Sequence, residues 1–232
     1  MSSNENVNAT SQVCLNIGCG NSPAEGWLNI DSSPHLRASK VPIVGSMVLR
    51  QAKNKDGIRR AVYGDIVHGL KLQSGSCELV FASHVLEHLT VTDFDKALDN
   101  IYAYLRPGGI LRVIVPDLRY YIERYRSDCE DEALASEAAL RFMTLSGVAG
   151  VGSRNTLSAR MREALSNRRH QMMWDEASLT AALARHGFKE IHTCRYRDWG
   201  DGRFATVEEL DRVKGVGPST VELMRPFVVV GP

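Results

Sequence analysis

Four short groups of residues have types and spacings that could do chemistry: Gly18-Cys19-Gly20, Asp31, Gly64-Asp65 and Ser83-His84. Each follows a short apolar or β-branched run, so each falls where a strand should end. Glycines let backbone N–H groups approach a ligand closely, and a carboxylate such as Asp31 can accept both hydroxyl protons of a ribose. Asp31 follows Gly20 by only eleven residues. In a dinucleotide-binding unit the ribose acid comes about 20 residues after the glycines, because a whole helix lies between them. There is no room for that helix here, which disfavours a nicotinamide-dependent oxidoreductase.

The elements that must position these groups are legible as alternating patterns. Strands are expected at Val13–Ile17, Trp27–Ile30, Ala61–Tyr63, Glu78–Ala82, Ile110–Val115, Glu190–Cys194 and Phe227–Val230. Helical periodicity covers Thr92–Leu105, Leu118–Ser127, Glu132–Leu145 and Asp175–His186. This alternation predicts an α/β fold, an open sheet with helices on both faces. In such sheets ligands bind beyond the carboxyl ends of the strands, where strand order reverses. All four groups fall on that edge.

Composition bounds the function classes. The chain has 232 residues, 44% hydrophobic and 24% charged, enough for one sizeable core. Residues 1–12 are polar and read as a disordered lead-in, with 13–232 as a single domain. No apolar run approaches the roughly 20 residues that span a bilayer, so the expectation is a cytoplasmic protein without a membrane span. The five cysteines include no C-x-x-C pair, so reduced thiols are expected, and no metal site. Net charge is +1, from 28 basic and 27 acidic residues. Its distribution is uneven, with basic runs between His35 and Val62 and again at Arg154, Arg160, Arg162, Arg168 and Arg169. These are solvated faces or anion-binding surfaces.

The segments "LNIGCGN", "GWLNID", "YGDI", "CELVFASHVLEHL" and "LRPGGILRVIVPD" resemble the motifs of S-adenosylmethionine-dependent methyltransferases, in a small bacterial branch of the Rossmann-like class. The resemblance runs from Val13 to Asp117, with a looser echo in "DEASLTAALARHGFKEI". It implies a seven-stranded, mostly parallel sheet whose last strand is antiparallel, and S-adenosylmethionine as cofactor. One departure is the missing long helix after the first loop. A cofactor with one nucleoside and an amino-acid tail puts no pyrophosphate on a helix N-terminus, so the shortened connection fits it.

Carried over to this chain, the resemblance places Gly18 and Gly20 against the methionine part of the cofactor, with Asn16 and Cys19 also among the cofactor-binding residues. Asp31 would take the ribose hydroxyls, Asp65 and Ile66 the adenine edge, and Ser83 and His84 the vicinity of the transferred methyl. "LRPGG" would form the turn before the fifth strand. An oxygen or nitrogen acceptor can need its proton removed, and the candidate bases are His84, His88, Asp117 and His170. Enzymes that methylate base amino groups resemble one another in an Asn/Asp-Pro-Pro-aromatic motif, and this chain has "ASHV" instead. Cys77 lacks the preceding proline of a cytosine-carbon nucleophile. The expected acceptor is therefore a small or medium molecule methylated at oxygen or nitrogen. Its phosphate or carboxylate would meet the Arg154–Arg169 cluster.

The C-terminal stretch keeps a second class open. "LDRVKGVGPSTVEL", within residues 206–224, is similar to a helix-hairpin-helix, whose hairpin amides hold a nucleic-acid phosphate. Nucleic acid is a disfavoured partner, because Gly200–Pro232 carries four basic residues against five acidic ones and a phosphate-tracking surface should be basic. The competing reading makes 206–224 the connection before the last strand, "PFVVV".

Overall fold

In a computed structural model of the protein, the alternating pattern becomes one sheet with helical crossovers. The structure describes residues 13–20, 23–41, 45, 55–149, 169–193 and 224–230. Its strands are β1 (Val13–Ile17), β2 (Leu28–Asp31), β3 (Val62–Tyr63), β4 (Cys77–Ser83), β5 (Leu105–Pro116), β6 (Lys189–Thr193) and β7 (Met224–Val230). They lie in the order β3-β2-β1-β4-β5-β7-β6. The pairs β3–β2, β2–β1, β1–β4 and β4–β5 are parallel, while β7 is antiparallel to both β5 and β6. Strand order therefore reverses between β1 and β4, and right-handed crossovers on either side of that point send their helices to opposite faces.

Six helices are described: α1 (Pro34–Ser39), α2 (Lys55–Arg60), α3 (Val91–Tyr104), α4 (Leu118–Glu130), α5 (Ala138–Leu145) and α6 (Glu176–Arg185), with a 3-10 turn at Leu86–His88. Helix α3 forms because Phe94, Ala97, Leu98, Ile101 and Tyr104 recur at helical spacing and are all buried. Thr90 starts it by accepting from the Asp93 N–H. Helix α6 opens with a reciprocal capping box between Asp175 and Ser178. The apolar stripes of α3 and α6 meet Leu15, Val80, Leu111 and Val113 of the central strands in one core.

Several expectations need correction. Helices α1 and α2 occupy a stretch whose basic residues hide a narrow apolar set: Leu36, Ile58 and Ala61 form a small cluster with Cys19, separate from the main core. Helix α5 begins at Ala138, six residues later than the pattern from Glu132 predicts. The Asp131 side chain accepts from the Ala133 N–H and turns the chain there instead. "LRPGG" lies inside β5, because Leu105 already pairs with Cys77 and the next pair is Leu79 with Ile110. The extra residues bulge out, with Gly108 at φ +70°. The helix-hairpin-helix-like stretch, the lead-in and most of the arginine cluster lie outside the described residues.

Candidate active site

The strand register brings the four predicted groups to one edge. Ile17, the end of β1, pairs with Ile30 on one side and Ala82 on the other, and Asp31 pairs with Tyr63. Gly18, Asp31, Gly64 and Ser83 therefore lie together at the carboxyl ends of β1–β4, beside the reversal of strand order. The Gly64 N–H closes the row by donating to the Asp31 carbonyl at 3.2 Å.

The glycine loop is tied to the second strand. The N–H groups of Gly18 and Cys19 both donate to the Ile30 carbonyl, at 2.9 and 3.1 Å. The Gly20 N–H donates to Asp31 Oδ2 at 2.9 Å, and the Ser33 N–H donates to Asp31 Oδ1 at 2.7 Å. Three loop amides are thus used inside the protein, so the loop offers a ligand close approach more than free donors. Gly18 has φ +69°, and any Cβ there would collide with Val85 Cγ2. At Gly20, by contrast, a Cβ would meet nothing among the described residues closer than the Gly18 carbonyl at 4.0 Å. Between these glycines the Cys19 side chain is buried with Leu36, Ile58 and Ala61. Burial, aided by the Asp31 charge, pushes its thiol up to about 12. Cys19 anchors the loop and is not a nucleophile.

Asn16 and Ile66 are supports by their placement. The buried Asn16 amide donates to Asn29 Oδ1 at 2.9 Å, and the Asn29 amide donates to the carbonyls of Ala24 and Trp27. This network holds the turn that replaces the missing helix between β1 and β2. The Ile66 side chain lies in the main core, and its carbonyl accepts from Asn100. Asp65 accepts from the Val67 N–H at 2.9 Å and from His68 Nδ1 at 2.9 Å. His68 was not anticipated as its partner.

After Ser83 the chain makes an uncommon step. His84 has φ +55°, and its N–H donates to the Ile114 carbonyl at 3.1 Å. A non-glycine residue held left-handed is strained and worth inspection. Its Nδ1 lies 2.9 Å from Oε1 of Glu87, whose side chain is 0% exposed. A carboxylate accepts, so Nδ1 is the donor in this contact. His88 Nδ1 lies 3.1 Å from the Arg169 carbonyl, and His170 Nδ1 lies 2.6 Å from the Ser146 carbonyl. The segment Arg169–Met172 is held there by the N–H groups of Gln171 and Met172, both donating to the Glu87 carbonyl. Burial pushes the His170 imidazole below its usual value, while the Glu87 charge pulls it up. Three of the four predicted bases, His84, His88 and His170, thus converge on Glu87, a residue the sequence reading missed. The fourth, Asp117, caps α4 by accepting from the Arg119 N–H at 3.0 Å.

Residues 15–113 match a family model described as a methyltransferase domain. This segment is similar to a methyltransferase domain. The strand order and antiparallel β7 are those expected of the Rossmann-like class of such domains. No curated protein matches the chain. Among solved structures it is similar to a possible exported protein from Bordetella parapertussis, at 11% identity and TM-score 0.49, covering 95% of this chain and 62% of that one. A Haemonchus contortus phosphoethanolamine N-methyltransferase 2, crystallised with phosphomonomethylethanolamine and S-adenosylhomocysteine, is similar at 18% identity and TM-score 0.46, covering 96% of this chain and 49% of that one. An Archaeoglobus fulgidus S-adenosylmethionine-dependent methyltransferase is similar at 13% identity and TM-score 0.47, covering 95% and 86%. The chain spans about half to three fifths of the length of the first two.

The residues at this edge fit S-adenosylmethionine. Each Asp31 oxygen accepts one backbone N–H and retains a further lone pair for a ribose hydroxyl. Among the described residues, nothing fills the space over Gly20 where a side chain would intrude. Among the described residues no helix is long and apolar enough to cross a membrane.

Proposed function

We propose that this protein transfers a methyl group from S-adenosylmethionine to an oxygen or nitrogen of a small or medium acceptor bearing a phosphate or carboxylate. The observation that carries this reading is the Asp31 carboxylate, fixed by Gly20 and Ser33 at the reversal of strand order. When bound, the cofactor supplies a methyl on a sulfonium, an excellent leaving group. The protein must then orient the acceptor and exclude water. Asp31 binds the ribose hydroxyls, and Gly20 leaves room for the amino-acid tail.

His84 is the favoured base. Its Nδ1 is held by Glu87, and its backbone at the end of β4 puts the ring beside the strand-end groups that would meet the transferred methyl. The anionic group of the acceptor is assigned to the arginine cluster. Support comes from Arg169, whose carbonyl contacts His88 and so brings the end of that cluster beside the 86–88 turn.

Calorimetric titration with S-adenosylhomocysteine and, separately, NAD tests the reading. Micromolar binding of the first alone, weakened at least about tenfold by Asp31→Ala, is expected. Preference for NAD, or equal affinity in the variant, would contradict it.

A further inference from the structure

We propose that Glu87, His88 and His170 form a binding site for a divalent transition-metal ion, with zinc the best match, at the foot of the 86–88 turn. One ligand atom from each of the three lies within 4.8 Å of the others. The two rings meet edge to face with centroids 5.0 Å apart, and His170 Nε2 is 4.0 Å from Glu87 Oε1.

The hydrogen bonds around this cluster prepare it for a cation. Both histidines direct Nδ1 at backbone carbonyls, His88 at Arg169 and His170 at Ser146. A carbonyl can only accept, so both Nδ1 atoms carry the proton and both Nε2 atoms carry lone pairs. Such contacts fix the tautomer and ring direction of metal-bound histidines. His84 does the same for the carboxylate, holding Oε1 at 2.9 Å. Among the described residues, Glu87 Oε2 is buried without a hydrogen-bond partner. A fully buried carboxylate oxygen left unmatched is costly, and a cation held by this carboxylate and two imidazole lone pairs offsets the cost.

Ligand chemistry narrows the ion. Two imidazoles and one carboxylate suit zinc and its first-row neighbours, whereas magnesium and calcium prefer all-oxygen shells. Zinc bonds of about 2.1 Å in a tetrahedron put ligand atoms about 3.4 Å apart. The ligand atoms, within 4.8 Å of one another, therefore need to close by at most about 1.4 Å, and the 4.0 Å pair of His170 Nε2 and Glu87 Oε1 by about 0.6 Å. Three protein ligands leave a fourth position open, as in catalytic zinc sites. The site also has a built wall, since a Cβ on Gly147 would come within 2.7 Å of the His170 ring.

The test uses the tag-free, metal-stripped full chain titrated with zinc chloride by calorimetry at neutral pH, with cobalt(II) absorbance as a second readout. One zinc per chain at micromolar affinity or tighter is expected, with tetrahedral cobalt bands. His88→Ala and His170→Ala should each weaken zinc at least about tenfold, while S-adenosylhomocysteine affinity, measured in the same samples, stays near wild type. His88 is partly exposed, so its variant remains informative if the His170 variant does not fold, as judged by circular dichroism. Absence of stoichiometric zinc binding would overturn the proposal. So would wild-type affinity in a folded His88→Ala protein, which would leave the cluster a hydrogen-bonded support for Arg169–Met172.

Discussion

The glycine loop with Asp31 and the cluster around Glu87 lie beyond the same edge of the sheet but are built in opposite ways. In the first, residues eleven apart are joined by backbone donors entering a carboxylate. In the second, side chains are aimed by bonds to carbonyls, and His88 and Arg169 are 81 residues apart. The first is a rigid consequence of parallel strand register. The second exists only because a distant segment is laid across the 86–88 turn. A local motif can be read from spacing, whereas a site assembled by a returning segment has no spacing to read.

This contrast makes the two regions separable by mutation. The largest effect should come from Asp31→Asn, because an amide offers one acceptor oxygen where Gly20 and Ser33 both donate. S-adenosylhomocysteine affinity is expected to fall about 100-fold, or about 2.7 kcal/mol, by calorimetry. Unchanged affinity would remove Asp31 from the cofactor site. Gly18→Ala should cost about 2 kcal/mol in denaturant unfolding, combining its positive φ with the collision against Val85. Adding Val85→Ala should recover at least about 0.5 kcal/mol, and strict additivity would deny the collision.

Gly147→Ala should act on the other region alone. The added Cβ displaces the His170 ring, so zinc affinity should fall about tenfold with cofactor binding unaltered. Loss of both would show that the regions are coupled. The smallest effect is expected at Asp128, outside both, where Arg141 and then Arg124 hold its carboxyl below the usual carboxylate range. A lowered folded-state value adds stability that is present above the unfolded value and disappears as pH falls through the folded one. Asp128→Asn should therefore flatten the acid limb of thermal stability against pH while leaving both ligands bound normally.

Much of the first region was legible in the sequence. Asp31 could be placed because strand ends and glycine turns are local signals, and the short gap after Gly20 already disfavoured a dinucleotide. Two details were not. Loop amides that looked free for a ligand are occupied by Ile30 and Asp31, and Asn16 serves the turn at Ala24–Trp27 through Asn29. Both follow from register, which needs the paired strand in place. In the second region the histidines were recognised singly. Glu87 was passed over, because a glutamate in "LEHL" reads as an ordinary surface residue, yet its side chain is 0% exposed. The absence of C-x-x-C pairs argued against a metal only for cysteine ligands. Histidine and glutamate ligands brought together by folding leave no such mark.

The most direct test of the account is a crystal structure of the protein with S-adenosylhomocysteine. Both ribose hydroxyls should lie within hydrogen-bond distance of the Asp31 carboxylate, with the amino-acid tail over Gly20 and the sulfur facing the end of β4 at Ser83-His84. A nucleoside bound away from Asp31, or a sulfur directed away from β4, would contradict it.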